Sequence, residues 1–321
     1  MKLIPDFDFQ TVFAGPWTTD LASYGWIMLM GFFVATACGL VGNYLILRRM
    51  ALVGDAISHS VLPGIAVAFI LSNSRGSTAM FLGALAAGMT TTVIIETIHK
   101  RTRVKQDAAI GIAFTSLFAL GVILISLFAD KVDLDQECVL YGEIAFVPLE
   151  EFVKLGGREI GPLPVVRMGL VAVVTVILLI VFYKELLVSS FDSGLAFSLG
   201  INATAVHYGL MAMLSVVVVS AFESVGAILV IAMLILPGAT ASLLSQRLPL
   251  IHLLTVLHAA LSAVLGTHLS IWLECSIAGA MVVVGTLLFG LAWSGYVLRH
   301  SGWVRRLRHE DAASASEFGS A

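Results

Sequence analysis

Charge is what this chain has least of. Only 12% of its 321 residues are charged, about half the roughly 25% of a soluble domain, while 59% are hydrophobic and the mean hydropathy is +0.98. Other absences narrow the chemistry. There is no GxxxxGK[ST] segment, so the chain holds no P-loop for nucleotide phosphates. There is no HExxH and no GxSxG, which removes the metalloprotease and serine-hydrolase readings. No basic patch interleaved with aromatics speaks for nucleic acid, and no 20–50-residue period speaks for a solenoid. The three cysteines, Cys38, Cys138 and Cys275, form no CxxC and read as free thiols, although Cys138 and Cys275 fall on one side of the topology derived below. The N-terminus, MKLIPDFDFQ, lacks the basic n-region of a cleavable signal peptide.

What is present is a series of apolar runs, each near the roughly 20 residues that cross hydrocarbon as a helix. They fall at 23–47, 55–72, 77–98, 108–129, 165–183, 205–221, 224–245, 250–270 and 276–298. The sixth and seventh are nearly continuous, so the expectation is an all-α, polytopic membrane bundle of eight or nine helices. With the N-terminus outside, the inner loops hold twelve Lys and Arg, including the clusters RRM, HKRTRVK and RRLR, against six on the outer side. The positive-inside rule favours that orientation, with the C-terminus cytoplasmic. Residues 1–20 are then an extracytoplasmic segment and 21–300 the transmembrane unit. Residues 301–321 form a small, polar cytoplasmic tail expected to be disordered. Two connections exceed a turn: the acidic outer one, 130–164, and the inner one, 184–204. Both are expected to carry function.

Residues 52–64 read LVGDAISHSVLPG. Asp55 and His59 are four apart and share a helix face, and Pro63 continues the stripe while removing the hydrogen bond to the carbonyl of residue 59. Carboxylate, imidazole and freed carbonyl together suit a divalent first-row cation. A central aspartate costs about 2.5–3.5 kcal/mol in a membrane helix, so it calls for a partner or a cavity. The competing reading makes Asp55 a cap near the inner interface, just after Arg48 and Arg49. Glu223 lies in the longest apolar run, either at a tight outer turn or lining a polar path. Pro237-Gly238 echoes Pro63-Gly64, and breaks near both prolines are expected, since matched breaks in two halves mark transport sites. Glu143, in VLYGE, reads from composition as a solvated loop acid. His252, His258 and His268 are spaced 6 and 10 apart, which favours packing and hydrogen bonding over a metal box, and His99, His300 and His309 sit among basic residues as surface charge.

In the inner loop, FDSGLAFSLG offers Asp192 as N-cap, Leu195 and Leu199 at i, i+4, and Gly200 as the stop. That is a two-turn helix outside the membrane, too short to be stable alone, and docking in a partner's groove would stabilise it. A helix resting on the lipid surface is the competing reading; it lacks the basic face such helices favour.

Four segments, GDAISHSVLPGIAVAFIL, VDLDQECVLYGE, YKELLVSSFDSGLAFSLG and FESVGAILVIAMLILPGATASLL, resemble the hallmark segments of the ABC-3 family of metal-ion permeases over about residues 20–300. The resemblance implies an inner-membrane subunit of a bacterial ABC importer for manganese, zinc or iron(II). It also implies separate ATPase subunits, an extracytoplasmic metal-binding lipoprotein, and a second permease copy or paralogue. On this likeness Asp55 and His59 line the metal path; Glu223, and less strongly Glu143, are the further candidate metal residues. Phe191, Asp192, Leu195, Ala196, Leu199 and Gly200 belong to the coupling helix that meets the ATPase. The second and fourth segments look most like the manganese/iron branch. The chain itself is expected to be no enzyme and to bind no cofactor, the metal being cargo. A proton-coupled secondary metal transporter is the alternative, and an intramembrane enzyme has only the Asp/His pair in its favour.

Overall fold

A computed structural model describes residues 5, 7–18, 20–72, 77–128, 143–155 and 158–318. Residues 132–142 of the VDLDQECVLYGE segment, Cys138 among them, lie outside these. A π-turn, Gln10–Ala14, and a short helix α1, Gly15–Thr18, precede the bundle. Its helices are α2 (Leu21–Leu47), α3 (Val53–Ser72), α4 (Ser77–Arg101), α5 (Gln106–Phe128) and α6 (Leu163–Val181). Then follow α7 (Tyr183–Phe191), α8 (Ser193–Ser198), α9 (Ala203–Leu244), α10 (Leu248–Leu273) and α11 (Ile277–Phe318). Eight of these are long and apolar enough to cross a membrane.

α2 is the axis of the molecule. Met30, Val34, Ala37, Cys38, Val41, Tyr44 and Leu45 are all fully buried, and α6, α9 and α10 pack around it. A helix apolar on every side belongs in such a position. It ends in a Schellman-type cap: Met50 N–H reaches Leu45 O at 2.8 Å, with Arg49 left-handed at φ 59°. Small residues let neighbouring helices close in; a Cβ on Gly42 would collide with the backbone carbonyl of Leu234 in α9.

α9 has 42 residues, about 63 Å if straight and twice a membrane's hydrocarbon thickness. It is not straight. His207 Nδ1 lies 3.1 Å from Arg48 Nη1, and a Cβ on Gly238 would sit 2.9 Å from Ile46 Cδ1. Both positions therefore lie at the same end of α2, although a straight helix would separate 207 from 238 by about 46 Å. The chain folds back at Gly226, whose φ 77° and ψ 169° are non-helical. The legs 203–225 and 227–244 correspond to the sixth and seventh runs of the sequence, with the reversal inside the start of the seventh.

Neither proline breaks its helix. α3 continues through Pro63 and the second leg of α9 through Pro237. Each ring is packed, Pro63 against Gly121 of α5 and Pro237 against Gly39 of α2. Packing holds helical geometry where the missing N–H alone would loosen it. The conformational break lies instead at glycine 226, where φ above zero requires it.

The end opposite Arg48 is covered. A 3-10 helix, Ile144–Leu149, buries Ile144 and Val147 against α2, α9 and α11. An antiparallel hairpin, β1 (Phe152–Leu155) with β2 (Arg158–Pro162), sets Phe152 edge-on to Trp26 at 6.3 Å. This hairpin is the one departure from an all-α chain among the described residues. At the same end Trp17 Nε1 donates to His268 Nε2 (3.2 Å), and His268 Nδ1 bonds Val12 O (2.8 Å). At the other, α11 continues to Phe318 as helix, through the stretch expected to be disordered; no proline or glycine follows Gly302 in it.

Candidate functional site

Asp55 stands in the first turn of α3 and His59 one turn on, with His59 Nε2 3.4 Å from Asp55 Oδ1. Their side chains are 41% and 31% exposed, in a helix whose Ala56, Ile57, Ser58 and Ser60 are buried. The His59 ring leans on Phe114 (5.1 Å) and meets Phe118 edge-on (6.1 Å), both in α5. These rings fix the imidazole on the Asp55 side, and the proline at 63 leaves the His59 carbonyl without its helical N–H. Two side-chain donors converge, with room beside them. No group of three or more His, Cys, Asp and Glu able to hold a metal occurs among the described residues. A single copy thus presents two donors, short of a coordination set of three, among the described residues.

Glu223 is not part of that set. It lies just before the Gly226 reversal, where its Oε2 is 2.8 Å from Arg167 Nη2 of α6, and the guanidinium sits over the Phe81 ring at 5.6 Å. Val61 and Val219 meet in one buried cluster with Ala84, so Glu223 stands about 9 Å farther along the bundle axis than His59. The turn reading of Glu223 from sequence therefore holds: it stands beside the reversal, with Arg167 as a partner. Glu143 is exposed before the 3-10 helix, its carbonyl bonded by Phe146 N–H at 3.0 Å. The structure does not bring it to Asp55 and His59.

The short inner helix forms as its sequence dictates. Asp192 caps α8 by accepting from Gly194 N (2.8 Å) and Leu195 N (3.1 Å), and Gly200 ends it at φ 76°. Phe191, Leu195 and Leu199 are 70%, 51% and 60% exposed, whereas Ala196 is fully buried and faces the bundle. Phe197, at 84% exposure the most open large apolar side chain of this loop, carries no signal in the i, i+4 spacing.

The histidines of α10 are structural. His252 bonds Asn43 Nδ2 and Tyr44 Oη, each at 3.2 Å, while His258 is buried beside Gly285. His207, by contrast, has no marked spacing in the sequence, yet it joins Arg48 to Glu96, an almost buried acid in the apolar run of α4. An acid inside a span was the signal available for Glu96. Burial lowers Arg48 from its ordinary guanidinium value.

Comparisons with known proteins agree with this arrangement. The chain is 46% identical over 268 residues to the manganese transport system membrane protein MntD of Bacillus subtilis, covering 84% of this chain and 90% of that one. It is 43% identical to the zinc transport system membrane protein TroD of Treponema pallidum, covering 83% and 72%. Among solved structures, PsaBC from Streptococcus pneumoniae in complex with Fab superposes with a TM-score of 0.71 at 32% identity, covering 89% and 95%. Residues 23–294 match the ABC 3 transport family. A helical bundle with an acid–imidazole pair on α3 and a capped helix outside its spans is thus the form of a family member: this chain belongs to the ABC 3 transport family.

Proposed function

We propose that this chain is the membrane-spanning permease subunit of a bacterial ABC importer for a divalent transition-metal ion, manganese first, with zinc or iron(II) as the other candidates. The observation that carries the reading is the Asp55–His59 pair, half-open on α3, in a chain whose relatives are manganese and zinc transport membrane proteins. Carboxylate and carbonyl oxygen suit manganese and imidazole suits zinc and iron, so the donors themselves leave three cations in play.

In this reading the hairpin end of the bundle faces outward and the Arg48 end faces the cytoplasm, in the inner membrane. A metal-binding lipoprotein delivers the ion beside Glu223, where a dication competes with Arg167 for the carboxylate. The ion then meets Asp55 and His59, with further donors supplied by a second permease copy or a paralogue. Few ligands keep the ion loosely held, so it leaves again. The α7–α8 loop docks its apolar side chains, Phe191, Leu195, Phe197 and Leu199, into a groove of a cytoplasmic ATPase. Hydrolysis belongs to that partner, since this chain carries no P-loop. Glu143 is placed at the outer mouth, as an acid that attracts cations there.

Reconstitution tests the reading. The chain in liposomes with a cytoplasmic ATPase subunit and a metal-binding lipoprotein of such an importer is expected to take up manganese only when ATP is supplied. Uptake by the chain alone, driven by a pH gradient, would replace this reading with the proton-coupled one.

A further inference from the structure

At the end of the bundle that carries α8, a chain of buried polar contacts joins four helices, and none of them touches Asp55 or His59. Arg48 follows the last residue of α2 and spreads its guanidinium over three acceptors. Nε reaches Ser190 Oγ at 3.0 Å, Nη2 reaches Ser189 Oγ at 2.8 Å, and Nη1 reaches His207 Nδ1 at 3.1 Å. Ser189 and Ser190 lie in the last turn of α7, three and two residues before the Asp192 cap of α8. His207 stands at the start of α9, just beyond the same loop. Its Nε2 is 2.7 Å from Glu96 Oε1 of α4, and Glu96 Oε2 is 2.7 Å from Lys100 Nζ.

Chemistry orients this chain. A guanidinium only donates, so His207 Nδ1 accepts and the ring proton resides on Nε2, beside the Glu96 carboxylate. One nitrogen of the imidazole serves Arg48 and the other faces Glu96. Side chains of His207 and Glu96 are 14% and 6% exposed, so solvent does not screen the contacts as it would a surface pair. A planar fork with donors in three directions is something lysine's single ammonium cannot reproduce.

Arg48 also opens the turn into α3. Arg49 is left-handed, Met50 N–H closes on Leu45 O, and α3 begins at Val53. Asp55 lies seven residues beyond Arg48, in the first helical turn. A shift of the α7–α8 loop therefore pulls on a side chain whose backbone leads straight to the metal-facing pair.

We propose that Arg48 is a positioning residue that links the α7–α8 loop to the Asp55–His59 pair, with His207 and Glu96 holding its guanidinium in register. The inference rests on the permease reading, because it takes α8 as the surface an ATPase moves. Arg48 itself touches no cargo. Its work is to make the turn before Asp55 follow the loop.

The test uses the full transporter in liposomes, with manganese uptake and ATP hydrolysis measured on the same vesicles. Arg48→Gln and Arg48→Lys are expected to keep hydrolysis within about twofold while uptake per ATP falls about tenfold or more. Ser189→Ala with Ser190→Ala leaves Arg48, His207 and Glu96 in place and is expected to uncouple in the same direction; it carries the test if an Arg48 variant does not assemble. Glu96→Gln combined with Arg48→Gln should lower uptake per ATP no further than Arg48→Gln alone, because Glu96 acts by holding Arg48 through His207. Uptake and hydrolysis falling in parallel with a lowered melting temperature would mean an ordinary structural role and overturn the inference. So would unchanged uptake per ATP in all variants while wild type transports. Absence of ATP-driven uptake by the wild-type assembly would overturn the permease reading and this inference with it.

Discussion

Arg167 and Glu223 close the hairpin end of the bundle, Nη2 to Oε2 at 2.8 Å, with Phe81 beneath the guanidinium. The pair ties α6 to the point where α9 reverses. An acid expected from sequence as a metal ligand therefore has a resident cation, and in the permease reading a dication would compete with it.

Glu223→Gln keeps the shape and removes the charge that attracts the ion. The expected outcome is a rise of about tenfold in the KM for manganese uptake, on the order of 1.4 kcal/mol, with a smaller change in maximal rate. Initial-rate uptake at varied manganese concentration measures both. An unchanged KM would remove Glu223 from the entry path.

Asp55→Asn is expected to lower manganese uptake by about a hundredfold or more while shifting stability by less than about 0.5 kcal/mol, the range of a substitution at a partly open site. Thermal unfolding in detergent, run beside the uptake assay, separates the two effects. His59→Ala is the less clean probe, because it also removes ring contacts to Phe114 and Phe118.

Gly226→Ala places a Cβ on a backbone at φ 77°, ψ 169°, a region essentially reserved for glycine. The expected cost is roughly 1–3 kcal/mol, seen as a lower midpoint of unfolding. Pro237→Ala, inside a helix that is already continuous, should change the midpoint far less. Equal effects would shift the reversal of α9 away from Gly226.

Phe197→Asp and Leu195→Asp are expected to abolish co-purification of the ATPase without altering the unfolding midpoint, since both side chains are mostly exposed. Charge at the centre of an apolar contact leaves it desolvated and unpaired. Ala196→Asp should instead lower the midpoint itself, because that position is fully buried. A pull-down together with a melting curve distinguishes the two patterns.

Much of this was legible in the residues. Apolar runs of membrane length, the i, i+4 relation of Asp55 and His59, and the Asp192 cap with its Gly200 stop are local properties. They depend on a helix's own period and end chemistry, and the structure reproduces each. Pro63 and Pro237 misled for a physical reason: a missing N–H weakens a helix, yet rings packed on Gly121 and Gly39 hold it straight enough to continue.

Other features depend on what meets what across the bundle, and no local pattern encodes that. The sequence by itself determined a membrane chain of eight or nine spans with an acid–imidazole pair on its second apolar run and a capped helix outside its spans, because hydrophobic length and helical period act along the chain. Tertiary structure alone decided that α9 doubles back at Gly226, that Glu223 takes Arg167 rather than joining His59, that Ala196 turns inward while Phe197 turns out, and that His207 stands between Arg48 and Glu96. Each of these depends on a contact between residues far apart in sequence, made only when the helices pack.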